Sequence, residues 1–167
     1  YTWENGIAYD PATRLVAWYG GHVAGSYVQS NYTYLYDFKT NAWRESQAPY
    51  RPQRRCLVML NYLDSCGKMV CTQGGTGHGS IQEGGFAGDY KRVNKSDPRG
   101  PWLYDVSADR WENCRTLPPI WKRVAHAQCA YDVTTDSLVW IAADKLGLYC
   151  PRTNRVSYRE LPKELVN

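Results

Sequence analysis

The chain has 167 residues, 43% of them apolar and 22% charged, which is enough for a hydrophobic core and excludes a disordered or fibrous chain. The net charge of +4 comes with no basic block, the densest group being Arg51, Arg54 and Arg55, so nucleic acid is not an expected partner. No apolar run approaches the roughly 18 residues that a membrane span needs.

Fourteen Tyr and seven Trp stand against two Phe and two Met, with fourteen Gly and nine Pro among them. Tyr and Trp favour strands and bury wide rings while keeping a polar tip, and Gly and Pro supply turns, so the chain reads as all-β. Tyr1 to Gly6 is an incomplete lead-in strand. Ile7-Ala8-Tyr9 runs into Asp10-Pro11-Ala12-Thr13, where Asp caps the turn and Pro sets φ, and Leu15 to Tyr19 returns. Residues 7–19 are therefore a hairpin. Gly20-Gly21 ends it, which points to backbone angles closed to other residues or to a close approach of strands. His22 to Ser30 is a small, polar loop, and Tyr32 to Phe38 is a third strand. After the turn Lys39-Thr40-Asn41, a fourth strand from Ala42 to Glu45 carries Trp43. Four antiparallel strands in about 45 residues are the size of one propeller blade.

A second unit opens at Pro52-Gln53-Arg54-Arg55, with a hairpin from Cys56–Asn61 to Lys68–Thr72 closed by Gly74-Gly75. The segment Thr76 to Gly100 has a length that marks a functional loop or disorder. Trp102–Val106 and Arg110–Asn113 complete this unit. A third opens at Lys122 to His126, and its Ala130-Tyr131-Asp132 repeats Ala8-Tyr9-Asp10. Ala142-Ala143 stands there in place of the glycine pair, and the following loop shrinks to Asp144-Lys145. The spacing is more specific than the residue types. Tyr36 to Trp43, Tyr104 to Trp111 and Tyr149 to Val156 are each seven positions apart. The expected units are 1–48, 49–118 and 119–167.

These features resemble kelch repeats: an Arg- or His-bearing lead-in, a hairpin ending in Gly-Gly, then Tyr, six residues, and Trp. AYDPATRLVAWYGGH and HAQCAYDVTTDSLVWIAA resemble the kelch-like propellers of exported bacterial proteins. The resemblance covers nearly the whole chain. It implies four-stranded antiparallel blades of a β-propeller, with Gly20, Gly21, Tyr36, Trp43, Gly74, Gly75, Tyr104, Trp111 and Tyr149 as its structural positions. Kelch propellers usually have six or seven blades, and three cannot close a ring. Each blade buries its faces on its neighbours, so two end faces are left over. The expectation is a partial propeller, completed by further chain or by association, with large apolar end faces.

In a blade of this kind the loop after the glycine pair and the lead-in to the next blade reach the same end. That end gathers His22, Arg54, Arg55, His78, Arg123 and His126. His22, Arg54, His78, Arg123, Tyr27 and Tyr90 are the candidate ligand-binding residues, each with a structural alternative: a histidine bonding its own loop, or an arginine between blades. Arg54 and Arg55 make forks suited to carboxylate or sulfate, though adjacent strand residues face opposite ways. Tyr32 and Tyr34 are further stacking candidates for a sugar or a partner. Trp43 and Trp111 read as blade packing, and Trp18, Trp102, Trp121 and Trp140 as strand or core.

Signals for catalysis are thin. No G-x-S-x-G elbow occurs, and Gly74-Gly75-Thr76-Gly77-His78-Gly79 lacks the Lys-Ser/Thr of a phosphate loop. Glu83 and Asp89 are a weak carboxylate pair. The copper-radical oxidases among kelch proteins imply two Tyr and two His at the metal, one Tyr cross-linked to Cys, against three His here. No catalytic residue, cofactor or metal is expected.

Six cysteines form no CxxC or zinc-type spacing, and an even number suits disulfides in an exported chain. A turn near residue 64 would set Cys56 across from Cys71, and Cys114 ends one blade just before Cys129 enters the next. The sequons Asn31-Tyr32-Thr33 and Asn94-Lys95-Ser96 permit glycosylation in a eukaryotic source. A start at Tyr1 without Met fits a processed chain or a piece of a longer one. The expected function is a non-catalytic binding module of a secreted, extracellular or periplasmic propeller that presents its loops to a protein or glycan. Its partners would be a protein or the remaining blades, in an oligomer or a larger chain. The alternatives are a fragment of a kelch-type enzyme (copper-radical oxidase or polysaccharide-active) and a self-assembling structural subunit.

Overall fold

A computed structural model describes residues 4–23, 29–52, 54, 56, 58–71, 102–113, 129–142, 145–153 and 155–165. Its twelve strands form three four-stranded antiparallel sheets, each a simple meander. The first holds β1 (Asn5–Asp10), β2 (Leu15–Gly20), β3 (Thr33–Asp37) and β4 (Ala42–Glu45). The second holds β5 (Leu60–Leu63), β6 (Lys68–Cys71), β7 (Trp102–Asp105) and β8 (Arg110–Asn113). The third holds β9 (Cys129–Asp132), β10 (Ser137–Ala142), β11 (Lys145–Cys150) and β12 (Arg155–Glu160). A single 3-10 turn at Lys163–Leu165 follows. The all-β, three-bladed expectation holds.

The turns explain the regular spacing. Residues 11–14, 38–41, 64–67, 106–109 and 133–136 each close a hairpin in four residues. Each ends on a left-handed residue: Arg14, Asn41, Gly67, Asp109 and Asp136 have φ between 46° and 62°. An aspartate opens most of these turns. Asp10 accepts from the Ala12 amide at 2.9 Å and Asp132 from the Thr134 amide at 3.0 Å, as Asx turns do. With the turn fixed, Tyr and the residue seven positions on must pair across the hairpin. Tyr36 faces Trp43, Tyr104 faces Trp111 and Tyr149 faces Val156. Gly20 and Gly21, at φ 75° and 82°, hold the left-handed angles their pairing suggested.

The second hairpin departs from its expected register. Cys71 faces Leu60, and Cys56 lies before the strand. The hairpin is centred beyond residue 64, which moves Cys56 out of reach of a ladder position opposite Cys71. No disulfide joins Cys56, Cys71 or Cys129, and Cys66 and Cys150 are thiols too. Cys114, Gly74, Gly75 and the long 76–100 loop lie outside the described residues. Asn31 is buried, so the first sequon offers no surface for a glycan.

Blades stack in one direction. The Tyr104/Trp111 face of the second blade, with Leu60, Met69, Cys71 and Trp102, packs on Ala17, Tyr19 and Leu35 of the first. Trp111 stacks on Tyr104 at 4.6 Å, meets Tyr19 at 4.9 Å, and donates from Nε1 to Thr33 Oγ1 at 3.1 Å. In the third blade Leu138, Trp140, Tyr149 and Val156 pack on Leu63, Val70 and Leu103 of the second. The Tyr104/Trp111 and Tyr149/Val156 faces of the second and third blades thus sit on the opposite face of the blade before them.

Asp109 ties the fourth strands together. Its carboxylate accepts from Ser46 Oγ and Tyr104 Oη, both at 2.5 Å, and from the Gln47 amide at 2.8 Å, with Arg44 at 3.5 Å. Burial pushes its pKa up, but the Ser46 and Tyr104 hydroxyls, the Gln47 amide and the Arg44 charge together hold it below the usual carboxylate range. Burial and the bond to Asp109 raise the Tyr104 phenol, so it stays a donor.

Two outcomes follow from this packing. Gly147 lies directly across from Trp140, and a Cβ built on it would fall 2.1 Å from the indole Cε2. Gly147→Ala should therefore cost about 1–3 kcal/mol in urea unfolding, as overpacking of a rigid ring does. Asp109 has a lowered folded pKa, so its contribution is present above the unfolded value of about 3.9 and is lost as pH falls through the folded value. Asp109→Asn should lower stability by about 1–3 kcal/mol at neutral pH. Its deficit against the native chain should narrow in acid, read from unfolding curves across that pH range.

Candidate functional site

Past β2 the chain leaves the sheet through Gly20-Gly21 and re-pairs at once. His22 bridges to Gln29, and the Ser30 amide donates to Gly21 O at 2.7 Å, closing the base of the loop. His22 is thereby fixed and buried. The β1–β2 register, with Asn5 opposite Gly20, carries Glu4 to the level of Gly21 and His22. Glu4 Oε2 lies 3.4 Å from His22 Nδ1, and the Glu4 side chain is 27% exposed.

The third member comes from the lead-in to the second blade. One ligand atom each from Glu4, His22 and Cys56 falls within 4.8 Å of the others. Cys56 is fully buried, and Gln29 Nε2 donates to its Sγ at 3.5 Å. A carboxylate, an imidazole and a thiol thus meet where the loop after the glycine pair reaches the next lead-in. That is the end of the blade where the sequence placed functional groups.

Of the candidate binding residues, His22 is in this cluster, and Arg54, half-buried, is two residues before Cys56. His78, Arg123, Tyr27 and Tyr90 lie outside the described residues, as do Arg55 and His126. Arg51 is structural: its buried guanidinium donates to Glu45 Oε1 at 2.7 Å and Ser46 O at 2.9 Å, beneath the Tyr32 ring. Tyr34 sits on β3 against Trp18, at 5.1 Å between rings. Glu4 belongs to no spaced motif and was not legible, and Cys56 was expected in a disulfide rather than in this cluster. Extending the first hairpin's register back by one residue would have pointed to Glu4.

A second surface stands out. Trp43 has the same place in its blade as Trp111, yet Trp43 is 55% exposed and Trp111 4%. Around Trp43 run two cross-strand rows, Ile7-Trp18-Tyr34 and Tyr9-Val16-Tyr36-Trp43. Phe38, also exposed, stands edge-on to Tyr36 at 4.9 Å.

No family model and no curated protein matches the chain. Among solved structures it is similar to a fungal alcohol oxidase of the AA5 family, in complex with copper. The TM-score is 0.60 at 18% identity, over 94% of this chain and 29% of that one. The likeness is one of fold. The chain spans under a third of that oxidase chain. Among the described residues, the group of three His, Cys, Asp or Glu ligands is Glu4–His22–Cys56.

Burial sets an order of thiol reactivity. An alkylating reagent should label Cys66, which is exposed, in the folded chain, and should reach the buried Cys56 and Cys71 only on unfolding. Mass spectrometry after a short native pulse checks this. Absence of both cysteines from the alkylated set even after denaturation without reductant would show them oxidised instead.

Proposed function

We propose that the chain is an interaction module: a kelch-type propeller segment whose exposed blade faces dock further blades of the same kind. The observation that carries this reading is the contrast between Trp43 and Trp111. In the second and third blades the Tyr104/Trp111 and Tyr149/Val156 faces are each covered by a preceding blade. In the first blade the equivalent Tyr36/Trp43 face meets water, with Ile7 59% exposed beside it. An exposed apolar surface of this extent marks an interaction site.

The other end supplies the complement. Val139, Ile141 and Leu148 of the third blade stand at the positions of Ala17, Tyr19 and Leu35, which receive Trp111 in the first. Ile141 is 55% exposed. One end is therefore of the ring-bearing kind and the other of the kind that accepts rings. Such an interface is heterologous, and it closes into a ring only when the blade rotation allows. The blades can come from the same polypeptide or from a second copy.

A second reading, a fragment of a copper oxidase, draws support from the likeness to the fungal alcohol oxidase. It would need a second His, and His22 is the one histidine among the described residues, His78 and His126 lying outside them.

Sedimentation of the 167-residue chain tests the docking reading. We expect association that grows with concentration, and loss of it in Trp43→Ser and in Ile141→Asp, with far-UV spectra unchanged. A chain that stays monomeric at high concentration, with Trp43 fluorescence open to acrylamide quenching, would overturn it.

A further inference from the structure

We infer that Glu4, His22 and Cys56 form a binding site for a thiophilic divalent transition metal, zinc foremost, at the junction of the first and second blades. The inference does not depend on how the outer blade faces are covered.

Three observations carry it. The first is convergence: the ligands come from the residue before β1, the residue after the glycine pair and the lead-in to the second blade, yet their ligand atoms lie within 4.8 Å of one another. Donors of a tetrahedral zinc, at about 2.1 Å for N or O and about 2.3 Å for S, are about 3.4–3.7 Å apart. The Glu4 Oε2 to His22 Nδ1 separation of 3.4 Å is already there. Closing the remainder takes shifts on the order of 1 Å, within the reach of side-chain rotation about an ion with these bond lengths.

The second is the state of Glu4. Its Oε2 is shut off from solvent and accepts no hydrogen bond among the described residues. A buried carboxylate oxygen without a donor is costly, and a cation removes that cost. The third is the chemistry of the set. A thiolate and an imidazole are poor ligands for magnesium or calcium, which take oxygen, and suit zinc or its neighbours. One carboxylate and one thiolate also balance a divalent charge inside the protein. On binding, the Cys56 thiol gives its proton to solvent and its sulfur forms the metal bond. Gln29 Nε2, already 3.5 Å from Sγ, then donates to the thiolate and fixes it, as outer groups around metal ligands do. Three protein ligands leave a fourth position for water or a ligand atom, the arrangement of open zinc sites.

The test uses the reduced, metal-free 167-residue chain titrated with cobalt(II) under anaerobic conditions. The expected result is one equivalent bound, with a thiolate-to-cobalt charge-transfer band in the near ultraviolet and tetrahedral ligand-field bands in the visible, all displaced by zinc. Cys56→Ser should abolish the charge-transfer band, while Cys150→Ser should keep it. Glu4→Gln and His22→Gln should each weaken cobalt binding at least about tenfold, since loss of a ligand costs no less than loss of an outer-shell partner. Absence of the band in the native chain, or its survival in Cys56→Ser, would overturn the proposal. Should Cys56→Ser fail to fold, Glu4→Gln decides, because its side chain lies partly at the surface: unchanged cobalt affinity there overturns the site.

Discussion

A blade of this chain is a sheet with two apolar faces, and its stability depends on covering both. Trp111 shows how. Its ring stacks on Tyr104 across the hairpin, presses on Tyr19 of the preceding blade, and delivers its one polar atom to Thr33. Indole burial of this kind is worth several kcal/mol, and the hydrogen bond removes the cost of hiding the N–H. The face that receives the ring sets Ala17 and Leu35 beside Tyr19. Stacking is therefore directional, and the direction makes the two ends of the array unlike one another.

Volume is adjusted along the same rows. One cross-strand pair on the ring-bearing face reads Trp18–Tyr34 in the first blade, Cys71–Trp102 in the second and Trp140–Gly147 in the third. Where a neighbouring blade covers the face, one partner is large and the other small. Only in the first, uncovered blade are both rings. Protein interiors are packed to near-crystal density, so an added ring must be matched by lost volume opposite. A blade docking on Trp18 and Tyr34 must accordingly present small side chains at that row, as Gly6 does where it lies against Leu60.

Much of this was legible in the sequence, and for a physical reason. A four-residue turn fixes the interval from Tyr36 to Trp43, so the spacing of seven encodes a strand pair and survives where residue identity drifts, as Val156 shows. The glycine pair was equally direct, since its positive dihedrals favour glycine over other residues. The register of the second hairpin was not legible, because Leu63 stands where an aspartate precedes the other turns. The second hairpin centres beyond residue 64, and that shift removed the expected Cys56–Cys71 contact. The fate of Trp43 was misjudged for a different reason: its motif says which face it is on, not whether a neighbour covers that face. Glu4 was missed because its place beside His22 and Cys56 arises from proximity in three dimensions, which no local pattern records.

The polar groups divide between two edges of the blade junction. Asp109, the turn residue just before β8, takes hold of Ser46 and Gln47 just past β4, so it ties the fourth strands. Glu4 precedes β1 and Cys56 precedes β5, so their cluster lies along the first strands, where the blades also approach each other. The apolar contact between these edges is slippery by itself, because hydrophobic burial is non-directional. Directional bonds at the margins oppose that slippage. Asp109 achieves this with hydroxyls and an amide that are already in place. At the first-strand edge a buried carboxylate, an imidazole and a thiol converge, with Gln29 donating to the thiol. An ion there would tie the first-strand edge as Asp109 ties the fourth-strand edge.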